Sequence, residues 1–152
     1  MVLHSDPRGV VAVSPARPEN LRPVFYAHWS QIPTSTWTAR YFQPKEFADR
    51  SNGSLLLDYQ FVDRCDRLRS RCGFSLRINS SYRSRRHNAL VGGSPLSRHR
   101  FAQAADFSII DRDAELIHRL ALELGFNGIG KYQTFIHVDT RERSASWDFS
   151  QR

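Results

Sequence analysis

Apolar residues recur at helical spacing through LLLDYQFVDRCDRLRSRCG (55–73). Leu57, Phe61, Cys65 and Leu68 form one stripe, with Leu56 and Val62 beside it. The pattern predicts a helix that Gly73 closes. Phe74–Asn79 (FSLRIN) alternates apolar and polar and reads as a strand. A short helix is expected over Arg83–Leu90, ended by Gly92-Gly93, and a second strand over Ala104–Ile110. In DRDAELIHRLALELG, Ile117, Leu120, Ala121 and Leu124 make one apolar face. Asp111 or Asp113 can cap the start of that helix, and Gly125 can close its end. Two short strands follow, over Gly128–Tyr132 and Phe135–Thr140. Helices and strands mix without regular βαβ alternation. The expected class is α+β, with a small, mainly antiparallel sheet and flanking helices. No internal repeat is present.

The N-terminal part reads differently. Five of the seven prolines, Pro7, Pro15, Pro18, Pro23 and Pro33, fall within residues 1–35, a density that prevents regular helix. Residues 1–36 are expected to be a Pro-rich arm, pinned by Phe25, Tyr26 and Trp29, with the compact domain over 37–152.

Composition narrows the classes. The 152 residues are 40% hydrophobic and 24% charged, which fits one domain with a core and excludes a disordered or collagen-like chain. No run approaches the roughly 18 apolar residues of a membrane span. The start, MVLHSDPRGVVAVSPAR, lacks the basic and apolar regions of an ordinary secretory signal. The net charge is +7, and ten arginines lie between Arg64 and Arg100, a field that draws anions such as nucleic acid, acidic lipid or bacterial wall. Two cysteines, Cys65 and Cys72, are too few for a four-thiolate zinc site. On one helix they would stand about 10 Å apart along the axis, too far for a disulfide, so free buried thiols are expected.

Three segments carry polar residues that packing alone does not require: 81–93, 94–107 and 135–139. His99 and Asp106 lie seven residues apart, and His137 lies on a later strand. Two imidazoles and a carboxylate suit Zn²⁺ with a fourth position left for water. Asp106 stands in a strand of Ala, Phe and Ile, where a carboxylate is costly unless paired or metal-bound. On the residues alone, a metal set and three separately satisfied side chains both remain open.

The motifs themselves resemble a known family. SxHxxxxAxD is carried by Ser97, His99, Ala104 and Asp106; YRSRRHNALVGG spans 82–93; GFNGIGKYQTFIHVD spans 125–139. These resemble the zinc motifs and flanking segments of the M15 peptidases, the D-alanyl-D-alanine carboxypeptidase and murein endopeptidase group, whose metal-site fold is shared with hedgehog signalling domains. The resemblance covers roughly residues 38–147, with YFQPKEFAD (41–49) at its start. It departs at Ala102, where the family usually has Gly. It implies His99, Asp106 and His137 as ligands of one zinc ion.

The same resemblance assigns roles around the ion. Arg83 would hold the polarised carbonyl or the substrate through its two-pronged guanidinium, and Ser97 would hydrogen-bond the peptide. Many members carry an acid three residues before the last histidine; here that residue is Thr134. Asp139 stands on the same strand face as His137 and is the candidate general base, or the carboxylate that orients the imidazole. His87-Asn88 is expected to brace the loop, His118 to sit at a helix boundary, and Trp147 to wall the cleft or join the core. Gly128 and Gly130 precede no predicted helix and make no phosphate loop.

The resemblance implies zinc-dependent cleavage of peptidoglycan stem or cross-link peptides, as carboxypeptidase or endopeptidase, in the manner of a phage lysis or virion enzyme that is cytoplasmic until release, or virion-associated. The alternative is a non-catalytic zinc module that binds the cell wall or a protein partner. Nucleic-acid binding through the arginines ranks last, because no recognised motif accompanies the charge.

Overall fold

The computed structural model describes residues 22–152, together with the backbone of two three-residue strands before them, β1 (Leu3–Ser5) and β2 (Val11–Val13), which pair antiparallel. Pro7, Pro15 and Pro18 of the expected arm lie outside the described residues. From residue 24 onward the chain is built into the fold. Strand β3 (Val24–Tyr26) pairs antiparallel with β4 (Leu55–Leu57), and Ile32 is buried in the core.

A short first helix, α1 (Pro44–Phe47), uses Pro44 where a missing N–H costs nothing. Helix α2 (Tyr59–Cys72) begins where the Asp58 carboxylate accepts from the N–H groups of Gln60 and Phe61. It buries Phe61, Cys65, Leu68 and Cys72 and stops at Gly73, whose φ of 74° is the left-handed cap glycine favours. Leu57, expected in this helical stripe, belongs instead to β4; the Asp58 cap starts the helix two residues later. Cys65 and Cys72 are both buried and unpaired, and burial pushes each thiol's pKa up. Helix α4 (Ala114–Glu123) is capped by Asp113, which accepts from Leu116 N–H, and the chain turns at Gly125. Between them lies α3 (Arg85–Leu90), capped by Ser84. No helix among the described residues is long and apolar enough to cross a membrane.

Strands β5 (Ile78–Ser80), β6 (Ala104–Ser108), β7 (Gly128–Lys131), β8 (Phe135–Asp139) and β9 (Ala145–Asp148) form one sheet in the order β5-β6-β8-β7-β9. Every pairing is antiparallel except that of β7 with β9. The fold is α+β, as expected. The strand expected over Phe74–Asn79 is confined to Ile78–Ser80 because its first half bonds elsewhere. Arg112 donates to the Ser75 carbonyl and hydroxyl, and the bonding to β6 begins only at Arg77 O, which accepts from Ser108 N–H. The β7–β9 pair adds a strand not expected above, although Ala145-Ser146-Trp147-Asp148 alternates apolar and polar.

The two faces of this sheet differ by one residue of phase. Ala105, Phe107, Ile136 and Val138 point to one side, where Phe42, Leu68, Ile117 and Phe126 meet them in the core. Each such large apolar side chain contributes about 1.5–3 kcal/mol on burial. Asp106, His137 and Asp139 alternate with them and point to the other side. The core therefore holds the register that aims the polar residues.

Asp49 anchors the loop beneath α3. Its carboxylate, 2% exposed, accepts from Ser51 N–H and Oγ, accepts from Ser84 N–H at 2.6 Å, and faces His87 Nδ1 at 3.0 Å. Burial pushes its pKa up, but the hydrogen bonds from Ser51 and Ser84 outweigh that and lower it from 3.8 to about 2.

Candidate metal centre

Asp106 and His137 are direct cross-strand partners on β6 and β8. His99 reaches them from a 3-10 turn, Arg98–Phe101, that leads into β6. That turn closes at Ala102 with φ 58°, a left-handed conformation. A residue with a side chain costs about 1 kcal/mol there, which explains why glycine suits this position and shows that alanine still makes the turn.

His99 Nδ1 lies 2.6 Å from the Ser81 carbonyl, which can only accept. Nδ1 therefore carries a proton, which leaves Nε2 facing Asp106 Oδ1 at 3.3 Å, a nitrogen that donates to the carboxylate when it is protonated and offers a lone pair to an ion when it is not. His137 Nε2 lies 2.7 Å from Asp139 Oδ2, and its Nδ1 faces the same Asp106 Oδ1 at 2.9 Å. Two imidazole nitrogens thus converge on one carboxylate oxygen, each aimed by a partner on the far side of its ring. The three donor atoms lie within 4.8 Å of one another. Ligands held 2.0–2.1 Å from a tetrahedral zinc stand about 3.3 Å apart, so the spacing fits such an ion.

His99 and Asp106 are buried and His137 is partly so, at the floor of a cleft of about 600 Å³. Burial pushes the Asp106 pKa up, but hydrogen bonds from His137 and His99 outweigh it and hold the carboxyl below its ordinary range. Burial pushes the His137 pKa down; hydrogen bonds to Asp106 and Asp139 reverse that and raise it.

The other expected residues are placed as follows. Arg83 donates from Nη2 to Asp106 Oδ2 at 3.3 Å and from Nε to Ser80 Oγ at 3.1 Å, so its guanidinium sits beside the cluster. Ser97 lines the cleft at the start of the 3-10 turn. Trp147 lines it too, with its ring 5.5 Å from that of His137 and its Nε1 donating to Tyr132 Oη. His87 faces Asp49, and Asn88 Nδ2 donates to Ser94 O.

Asp139 shares the face of His137, as the strand pattern requires, but this geometry does not offer it as a general base. It is fully buried. Its Oδ1 accepts from Arg141 N and Nε, and its Oδ2 accepts from Arg141 Nη2 and His137 Nε2. A carboxylate has about four lone-pair positions, and all are taken. Burial pushes the Asp139 pKa up; the Arg141 and His137 hydrogen bonds bring it below the ordinary range.

Sequence reasoning missed Arg141 and Ser81. The first was visible as a period-two continuation, His137-x-Asp139-x-Arg141; the second acts through its carbonyl and leaves no side-chain signal.

Comparison with known families decides the relationship. The family model described as Peptidase M15 matches residues 40–139, about two thirds of the chain. The chain belongs to this family. No curated protein matches it. The M15 peptidases are metal-dependent, and the matched span contains all three members of the cluster together with Arg83, Ser97 and Asp139.

Proposed function

We propose that the protein is a zinc peptidase that cleaves peptidoglycan stem or cross-link peptides at the cell wall. The observation that carries this is the convergence of His99 Nε2 and His137 Nδ1 on Asp106 at the floor of an open cleft. His99, Asp106 and His137 would hold the ion. A zinc ion in such a site supplies a Lewis acid and lowers the pKa of a bound water toward about 7.

The chain's own residues do the rest. Asp139 keeps the His137 tautomer that presents the Nδ1 lone pair. Arg83, next to the cluster, binds a substrate carbonyl oxygen or carboxylate through its planar fork, and Ser97 Oγ offers a hydrogen bond to the peptide backbone. Trp147 and Tyr132 wall the cleft, limiting water on one side of a bound peptide. The net charge of +7 suits a substrate whose stem peptides carry free carboxylates. Terminal D-Ala–D-Ala hydrolysis and cross-link cleavage both fit; a phage lysis or virion role fits either.

The test is mass spectrometry of muropeptides incubated with the purified chain, before and after chelation. Cleavage that stops on chelation and returns with Zn²⁺ supports the reading and names the bond. Cleavage indifferent to metal removal overturns it. A second reading is favoured by one observation: the only carboxylates lining the cleft among the described residues, Asp106 and Asp139, are both engaged. It makes the chain a non-catalytic zinc module that binds wall. It predicts stoichiometric zinc and wall binding with no new amines released.

A further inference from the structure

Asp139 stands among the largest fully buried side chains, the others all being apolar. A buried carboxylate is costly unless paired and fully hydrogen-bonded. Its cross-strand neighbours are Ala104 and Gly128, which leave it room but no polar contact. Three of its four hydrogen bonds come from one residue, Arg141: the backbone N–H at 3.1 Å, Nε at 2.8 Å and Nη2 at 2.6 Å. The fourth comes from His137.

Arg141 is itself fixed. Asn127 Nδ2 donates to its carbonyl at 2.8 Å, and its guanidinium lies 5.1 Å from the Trp147 ring. The side chain is 29% exposed and lines the cleft beside Asp139. With the carboxylate gripped at both oxygens, Oδ2 has one direction left, toward His137 Nε2.

We infer that Arg141 is a positioning residue for the metal centre: its two-point grip on Asp139 fixes the His137 ring and so sets the affinity for a divalent ion. Arg141 touches neither ion nor substrate in this role. The inference rests on the reading that His99, Asp106 and His137 hold zinc. It predicts that a cation without the planar fork replaces it only in part.

The experiment uses the full chain and its Arg141→Gln and Arg141→Lys variants. Zinc affinity is measured by competition with a chromogenic chelator, and the Co²⁺-loaded proteins are compared by visible absorption. Folding of each is checked by circular dichroism. Arg141→Gln is expected to weaken zinc binding about 10–100-fold, with Arg141→Lys between it and wild type and the cobalt bands shifted in both. A bracing role alone would lower the melting temperature and leave affinity and spectrum unchanged, and that result overturns the inference. If Arg141→Gln fails to fold, Arg141→Lys decides: wild-type affinity and spectrum overturn the two-point grip. A wild-type chain that binds no zinc overturns the metal reading and this inference with it. Zinc bound equally by wild type and variants overturns this inference alone.

Discussion

Gly128 needs no left-handed backbone, yet a Cβ built on it would overlap the Asp139 carboxylate. Gly128→Ala therefore tests whether that carboxylate can move. To restore ordinary contact the carboxylate must retreat by about an ångström. It is fully buried and held from both oxygens, so retreat means losing a hydrogen bond to His137 or Arg141. Overpacking costs about 1–3 kcal/mol, and a lost charge-assisted hydrogen bond about 1.5–3 kcal/mol. The expected destabilisation is their sum, about 2.5–6 kcal/mol, measured by urea denaturation of the metal-free chain. Gly73→Ala is the control. Nothing lies within 4 Å of a Cβ there, so only the left-handed φ of 74° resists it, at about 1 kcal/mol. Equal costs for the two variants, or a Gly128→Ala loss below about 0.5 kcal/mol, would refute the claim that Gly128 exists to house Asp139.

Other outcomes follow from the same geometry. Saturating zinc at about a thousand times its Kd should stabilise the fold by about 4 kcal/mol, raising Tm by roughly 8–15 °C; calorimetry of His99→Ala should show no such rise. Arg83→Lys keeps the charge and loses the fork, so kcat/KM on muropeptides should fall about 100-fold, and unchanged kinetics would remove Arg83 from the chemistry. Asp49 has a folded pKa of about 2 against 3.8 unfolded. A depressed pKa stabilises above the unfolded value and ceases to do so as pH falls through the folded one, so Asp49 contributes about 2 kcal/mol at neutral pH that is lost between about pH 4 and pH 2. Asp49→Asn should flatten that acid limb in urea titrations. Cys65 and Cys72, buried with raised pKa values, should react with a thiol reagent only on unfolding; fast labelling of the native chain would contradict their placement.

Much of this was legible where a pattern spans several turns or motifs. The Phe61, Cys65, Leu68 stripe and the Gly73 stop locate α2, and FIHVD shows by alternation which residues face the core. The cluster was legible because His99, Asp106 and His137 fall within ordered motifs. Short pairings were not. β3 and β4 have three residues each, too few for a period to emerge, and Leu55–Leu57 is apolar throughout, while β9 alternates over only four residues. Ser75 falls in strand-like alternation, but its carbonyl and hydroxyl are claimed by the Arg112 side chain, and the bonding to β6 starts at Arg77. Asp139 shows how far spacing reaches: it gives the correct face, and only the hydrogen bonds reveal that Arg141 has already taken the oxygens.

The cross-strand match of Asp106 with His137 has a consequence for how the chain matures. A slip of one residue between β6 and β8 would turn the carboxylate and the imidazole to opposite faces. Only correctly aligned molecules could then capture an ion, so metal uptake doubles as an inspection of the finished sheet and traps those that pass.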